Sequence, residues 1–313
     1  MPIVYVICPD LATPYGGVMK LYELVDTLNA NHIESFIIHD DKNFKVTWFH
    51  HSTRITDFKS IQVEKDDLLI FPENYGRIIL HFYPGVKKII FNQNTFYALL
   101  PFEDLEYAKK VYLHPDIVQI IVVSDHDFNF MKSLFPMAKL SRITLGINEK
   151  LFYYNTQKKK QIAVIPRKAT EDYNLLSQLL ALREDLGEYT IKIIDQVSIE
   201  QCAEILRESE IFLSFSYKES FGLPPAEAMA CGCIVIGYHG QGGKEFFKEG
   251  LTYAIEPADI LTYANCIKNV IEQFNDHPIG IKETGRKASQ FILKKYSLAE
   301  QERSILATIK PFL

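Results

Sequence analysis

Short apolar runs recur along the whole chain: IVYVIC from Ile3, SFIIH from Ser35, DLLIF from Asp67, KKIIF from Lys87, VQIIVVS from Val118, QIAVIP from Gln161, TIKIID from Thr190, EIFLSFS from Glu210 and CIVIGY from Cys233. They are continuous rather than alternating, which predicts strands buried on both faces of a parallel sheet. Helical patterns separate many of them; in the first, Val18, Leu21, Tyr22, Val25 and Leu28 share one face of a helix. Strand and helix in alternation predict an α/β fold of doubly wound parallel sheets. The series restarts after the polar and basic stretch Asn155 to Lys160. The chain is therefore expected to divide into residues 1–155 and 156–313, each long enough for one Rossmann-like domain. The lysines Lys158 to Lys160 read as a solvated linker. From Leu261 the pattern is almost wholly helical, and Ser297 followed by Glu300 has the spacing of a capping box before a last helix that could pack back on the first domain.

Composition narrows the function classes. With 47% hydrophobic and 23% charged residues in 313, the chain has enough apolar mass for two cores. The net charge is -5, with 15 basic and 18 acidic residues before Asn155 and 19 and 21 after it, so neither half carries a basic field for nucleic acid. Five scattered cysteines are a poor disulfide framework, and Cys231 and Cys233 are too close for a zinc knuckle and read as buried small hydrophobes. Asp10 and Pro14 interrupt the N-terminal run before a secretory leader could form, and no stretch approaches the length of a membrane span. These features suggest a cytoplasmic protein, with docking at a membrane surface left open.

The chemistry concentrates in FLSFSYKESFGLPPAEAMACGCIVIGYHG from Phe212. A strand is expected to end near Ser214 and a helix to begin at Pro224 or Pro225, joined by a loop at Lys218 to Leu223. Ligands of doubly wound sheets sit outside the carboxyl ends of strands, where the unpaired N–H groups of a helix start attract phosphate. Gly222 allows close approach to the backbone there. Glu219 precedes the turn and Glu227 is expected in the first helical turn. A carboxylate accepts two hydrogen bonds and suits a vicinal diol, and a nucleotide sugar carries such diols on its ribose and on its transferred sugar.

The string from Glu219 to Glu227, followed by AMACGC, closely resembles the E-x7-E signature of retaining GT-B glycosyltransferases of the family 4-like, or group 1, type. The resemblance implies two Rossmann-like domains facing each other across a cleft, a nucleotide-sugar donor held mainly by the second domain, UDP- or GDP-linked, and no metal or other cofactor. It implies a donor site containing Phe221, Gly222, Leu223 and Glu227. Glu219, Arg167 and Lys168 would be catalytic, the basic pair in IPRKATED neutralising the charge that grows on the leaving diphosphate. PYGGV, with Gly16 and Gly17, resembles a glycine loop over the donor phosphates, and GQGGKE from Gly240 loosely resembles a further glycine-rich turn. The family usually spaces its second basic residue further from the first. Where relatives often carry a first-domain histidine, KKIIFNQNTFY offers Asn92, Gln93 and Asn94. Asn94 and His126 are thus the candidates on the sugar and acceptor side, the acceptor being a saccharide, a lipid carrier, a protein or another molecule.

Four other readings compete. Asp125 and Asp127 form a D-x-D pattern that could hold a metal in a GT-A transferase, though an N-cap at Asp125 explains them. A dinucleotide fingerprint fails because Glu245 stands where its third glycine belongs. A GT-B-like sugar-nucleotide-binding subunit without turnover, or a GT-B-fold enzyme such as an epimerase, would share the same donor site.

Overall fold

A computed structural model describes residues 2–41 and 43–313. Contacts divide the chain into two units, Met1–Leu145 with Ala299–Leu313, and Gly146–Leu298. The change of unit falls at Leu145, ahead of the Asn155 boundary read from the sequence, and nearly all of the last helix groups with the first unit.

The first unit contains a seven-stranded sheet of β1 (Val4–Ile7), β2 (Ser35–His39), β3 (Ile55–Asp57), β4 (Leu68–Pro72), β5 (Lys87–Phe91), β6 (Ile117–Val122) and β7 (Leu140–Arg142). Its order is β3-β2-β1-β4-β5-β6-β7 and every pairing is parallel. The order reverses between β1 and β4, which makes the carboxyl ends of those strands the switch point where ligands settle. Helices α1 (Gly16–Ala30), α2 (Leu105–Tyr112) and α3 (Asp125–Leu134) connect strands. The face of α1 predicted to be apolar is buried, and Lys20 is buried with it. The Lys20 ammonium reaches Glu23 at 2.7 Å and Gln301 at 3.4 Å, while Ser304 accepts the Thr144 N–H at 2.9 Å. These polar contacts hold α9 (Leu298–Ile309), which begins directly after Ser297, onto the first unit.

The second unit has a five-stranded parallel sheet of β8 (Lys159–Val164), β9 (Thr190–Ile193), β10 (Ser209–Glu219), β11 (Ile234–Gln241) and β12 (Thr252–Ala254), in the order β12-β11-β10-β8-β9. Helices α4 (Thr170–Leu182), α5 (Ile199–Glu208), α6 (Leu223–Ala230), α7 (Ile260–Asp276) and α8 (Pro278–Lys295) complete it. The core mixes sheet residues such as Ile211, Leu213 and Ile236 with Tyr263, Ile267 and Val270 of α7. Its switch point lies between β8 and β10.

The lysine run is no solvated linker. Lys159 and Lys160 begin β8 and pair with Glu208 and Glu188. The Lys158 ammonium donates to the carbonyls of Leu206, Arg207 and Ser209 at 3.4, 3.2 and 2.8 Å, neutralising the carboxyl end of α5.

Candidate functional site

In the second unit, the residues after β8 and β10 meet at the switch point. Strand β10 continues to Glu219, beyond the expected stop at Ser214, because its register with β11 shifts between Ser216 and Glu219 and pairing resumes at Glu219 with Gln241. Lys218 and Gln241 take positive φ of 52° and 83°, so two side-chain-bearing residues hold left-handed backbone on either side of this pairing. Such conformations persist only where the surroundings enforce them, and they gather at functional sites. The connecting loop is shorter than expected, Ser220 to Gly222, and α6 starts at Leu223.

The second glycine-rich turn buttresses that loop. A Cβ on Gly242 would collide with the Ser220 carbonyl, and one on Gly240 would sit 2.6 Å from the Glu219 Cβ. Only glycine lets β11 approach this closely. Phe221 is buried against Phe246 and Tyr296, with ring centroids 5.4 and 5.0 Å away, so its side chain anchors the loop from below rather than offering a surface to a ligand.

Gly222, at φ 91°, is the N-cap of α6, and Leu223 is its partly exposed first residue. Pro224 and Pro225 follow and have no N–H, so the donors at this helix start are confined to Gly222 and Leu223. Glu227 is buried at the fifth position of α6, in its second turn and not its first, because the helix begins one or two residues earlier than expected.

Arg167 and Lys168 lie between β8 and α4, Arg167 exposed and Lys168 half-buried. The Lys168 ammonium is 2.6 Å from Glu219 Oε1, each side chain about one-fifth exposed at 21%. The structure thus joins Lys168 to Glu219 despite the unusual spacing of the basic pair.

In the first unit, Gly16 and Gly17 form the first turn of α1 rather than a loop, with Tyr15 as N-cap. A Cβ on Gly17 would meet the Tyr15 ring at 2.9 Å, and Gln93 Nε2 donates to the Gly17 carbonyl at 3.1 Å. Asn94 is buried, and its side chain caps the turn Thr95–Tyr97 by accepting the Phe96 N–H at 3.2 Å. His126 is half-buried in α3, stacked on Phe96 with centroids 5.6 Å apart. The two aspartates beside it go to different surroundings: Asp125 is exposed and paired with Arg142 at 2.5 Å, whereas Asp127 is buried and accepts the Thr95 hydroxyl at 2.8 Å. The cap of α3 is Ser124, not Asp125. No cluster of three potential metal-ligating side chains occurs among the described residues.

Sequence reasoning missed Glu73. It follows β4 at the first unit's switch point, is buried, and accepts the Gln93 N–H at 3.0 Å. Burial pushes its carboxyl up to about 7, against the lowering pull of the backbone N–H groups of Gln93, Asn94 and its own residue. The available signal was an acid directly after an apolar run, in DLLIFPENYG.

Comparison with known proteins agrees with this geometry. Residues 172–288, all within the second unit, match the family described as "Glycosyl transferases group 1". The chain resembles sucrose-phosphate synthase from Thermosynechococcus elongatus with a TM-score of 0.75 at 14% identity, covering 99% of both chains. It resembles Anabaena Alr3699/HepE in complex with UDP with a TM-score of 0.74 at 14% identity, covering 99% of this chain and 100% of that one. The chain has the GT-B fold. Among curated sequences it is 27% identical over 194 residues to an alpha-1,6-glucosyltransferase of Actinobacillus pleuropneumoniae serotype 7 (strain AP76), spanning 58% of this chain and 56% of that protein. It is 29% identical over 140 residues to "Putative glycosyltransferase 41" of Sulfolobus islandicus filamentous virus, 44% of this chain and 39% of the relative. The matched region is thus about half the length of the first relative and less of the second. No helix among the described residues is long and apolar enough to cross a membrane.

Proposed function

We propose that this chain is a retaining, metal-independent glycosyltransferase that moves a sugar from a UDP- or GDP-linked donor to a hydroxyl-bearing acceptor. The observation that carries the reading is the meeting of Glu219 and Lys168 at the second unit's switch point, directly before the start of α6. The family match over the same unit and the UDP-bound neighbour of the same fold support it.

In this reading the donor diphosphate lies on the N–H groups of Gly222 and Leu223 and on the Arg167 guanidinium, which forks two phosphate oxygens. Glu227 accepts the ribose hydroxyls and Glu219 those of the transferred sugar. The bond from the anomeric carbon to the phosphate oxygen breaks while a bond to the acceptor oxygen forms on the same face. The acceptor proton passes to the leaving diphosphate, so no protein base is required there. Fixed cations stabilise the growing phosphate charge, the work a divalent ion does in metal-dependent transferases. The acceptor is assigned to the first unit.

The test is incubation with UDP- and GDP-sugars and candidate acceptors, with and without a chelator, followed by NMR of the product anomer. Acceptor-dependent nucleotide release, an unchanged anomeric configuration and indifference to the chelator are expected. Tight nucleotide binding without release would favour a non-catalytic subunit, and strong chelator inhibition would overturn the metal-independent chemistry. In calorimetry, Arg167→Ala should weaken UDP binding by about tenfold, the value of a charged hydrogen bond to phosphate; equal affinity would remove Arg167 from the diphosphate.

A further inference from the structure

Four elements of the first unit end in one hydrogen-bonded network at the carboxyl edge of its sheet. After β4, Glu73 accepts the N–H of Gln93 at 3.0 Å and also that of Asn94. After β5, the Gln93 side chain donates to the Gly17 carbonyl at the start of α1 at 3.1 Å, and Asn94 caps the turn that follows. From that turn the Thr95 hydroxyl reaches Asp127 of α3 at 2.8 Å, whose own N–H donates to Ser124 Oγ at 3.1 Å. At the centre is a buried carboxylate that accepts backbone N–H groups and has no part in the proposed transfer. Burying an acid is costly unless hydrogen bonds satisfy it, and here the N–H groups of the Gln93–Asn94 turn do so.

We propose that Glu73 is a positioning residue, whose carboxylate fixes the backbone of Gln93 and Asn94 and, through the Gln93 side chain, the glycine start of α1 at the first unit's switch point. The role rests on the glycosyltransferase reading, because the turn it holds belongs to the unit assigned to the acceptor. The titratable groups facing Glu73 are Asp127 of α3, which opposes its ionisation, and Tyr112 of α2, whose phenol burial and Glu73 both push up. Tyr112 stays neutral through the working range and adds no charge change of its own. The ionised carboxylate accepts N–H groups more strongly than the acid does. Ionisation should therefore tighten the Gln93–Asn94 turn as pH rises through about 7.

The experiment is amide hydrogen exchange, corrected for intrinsic rates, on the intact wild-type chain and on Glu73→Gln between pH 5.5 and 8.5, a range of about 1.5 pH units on either side of a midpoint near neutrality. In the wild type, protection at Gln93 and Asn94 should rise by about fivefold through the transition, the difference between a neutral and a charge-assisted hydrogen bond. Glu73→Gln, which keeps the shape and the acceptor oxygen, should lack the step. UDP release from UDP-glucose should follow the same midpoint in the wild type only. A step of equal size in both proteins, or one shared by Ile89 and Ile90 of β5, would overturn the assignment. Calorimetry with UDP and GDP separates the two claims: binding of neither nucleotide by the wild type would refute the glycosyltransferase reading alone, while unchanged affinity for whichever one binds is expected in Glu73→Gln.

Discussion

Glu219 is paired with Lys168 at 2.6 Å, and that contact makes an unusual prediction about nucleotide affinity. If the ammonium also serves the donor phosphates, Glu219 competes with UDP for it. Glu219→Gln should then tighten binding of free UDP by about two- to fivefold, the range of a partly exposed ion pair, while lowering turnover because a neutral amide is a weaker acceptor for sugar hydroxyls. In a Lys168→Ala background the tightening should vanish, which a double-mutant cycle by calorimetry would reveal. Equal UDP affinity in the wild type and Glu219→Gln would mean that the pair does not compete with phosphate. At this scale the sequence was most informative where residue type and chemistry coincide. It singled out Glu219, Arg167 and Lys168, but not the contact between Lys168 and Glu219, since a loop spacing does not fix where a flexible ammonium rests. It passed over Glu73, because an acid after a strand looks like any surface carboxylate until the fold buries it.

At the scale of elements, the Glu219 loop depends on the end of β11. Gly242 lies so close to the Ser220 carbonyl that any side chain must displace the loop. Gly242→Ala should destabilise the fold by about 2 kcal/mol or more, as overpacking against backbone does, and should cost UDP binding in the same variant. Urea unfolding and calorimetry would check both, and a variant of wild-type stability with intact binding would contradict the buttress role. The same loop explains why boundaries were the least legible feature. The strand was expected to stop near Ser214 because apolar character fades there, yet ladder pairing with β11 resumes at Glu219, and the earlier helix start moves Glu227 into the second turn. The long apolar runs all became strands. The three-residue strands β3, β7 and β12 went unread because each is an edge with one neighbour and too few buried positions to make a run.

For the whole molecule, the alternation of strand and helix was enough to predict two parallel-sheet units, since continuous apolar strands need helices on both faces. The position of the unit change was less accessible. Polar Asn155 to Lys160 looked like a linker by composition, but Lys158 caps α5 and the next two lysines start β8, so the charge run marks an element instead of a gap. The central claim is that the second unit grips a nucleotide diphosphate where β8 and β10 end, and a crystal structure of the chain with UDP tests it most directly. The diphosphate should lie on the N–H groups of Gly222 and Leu223 and on Arg167, with the ribose at Glu227. UDP bound away from the carboxyl ends of β8 and β10 would contradict the account.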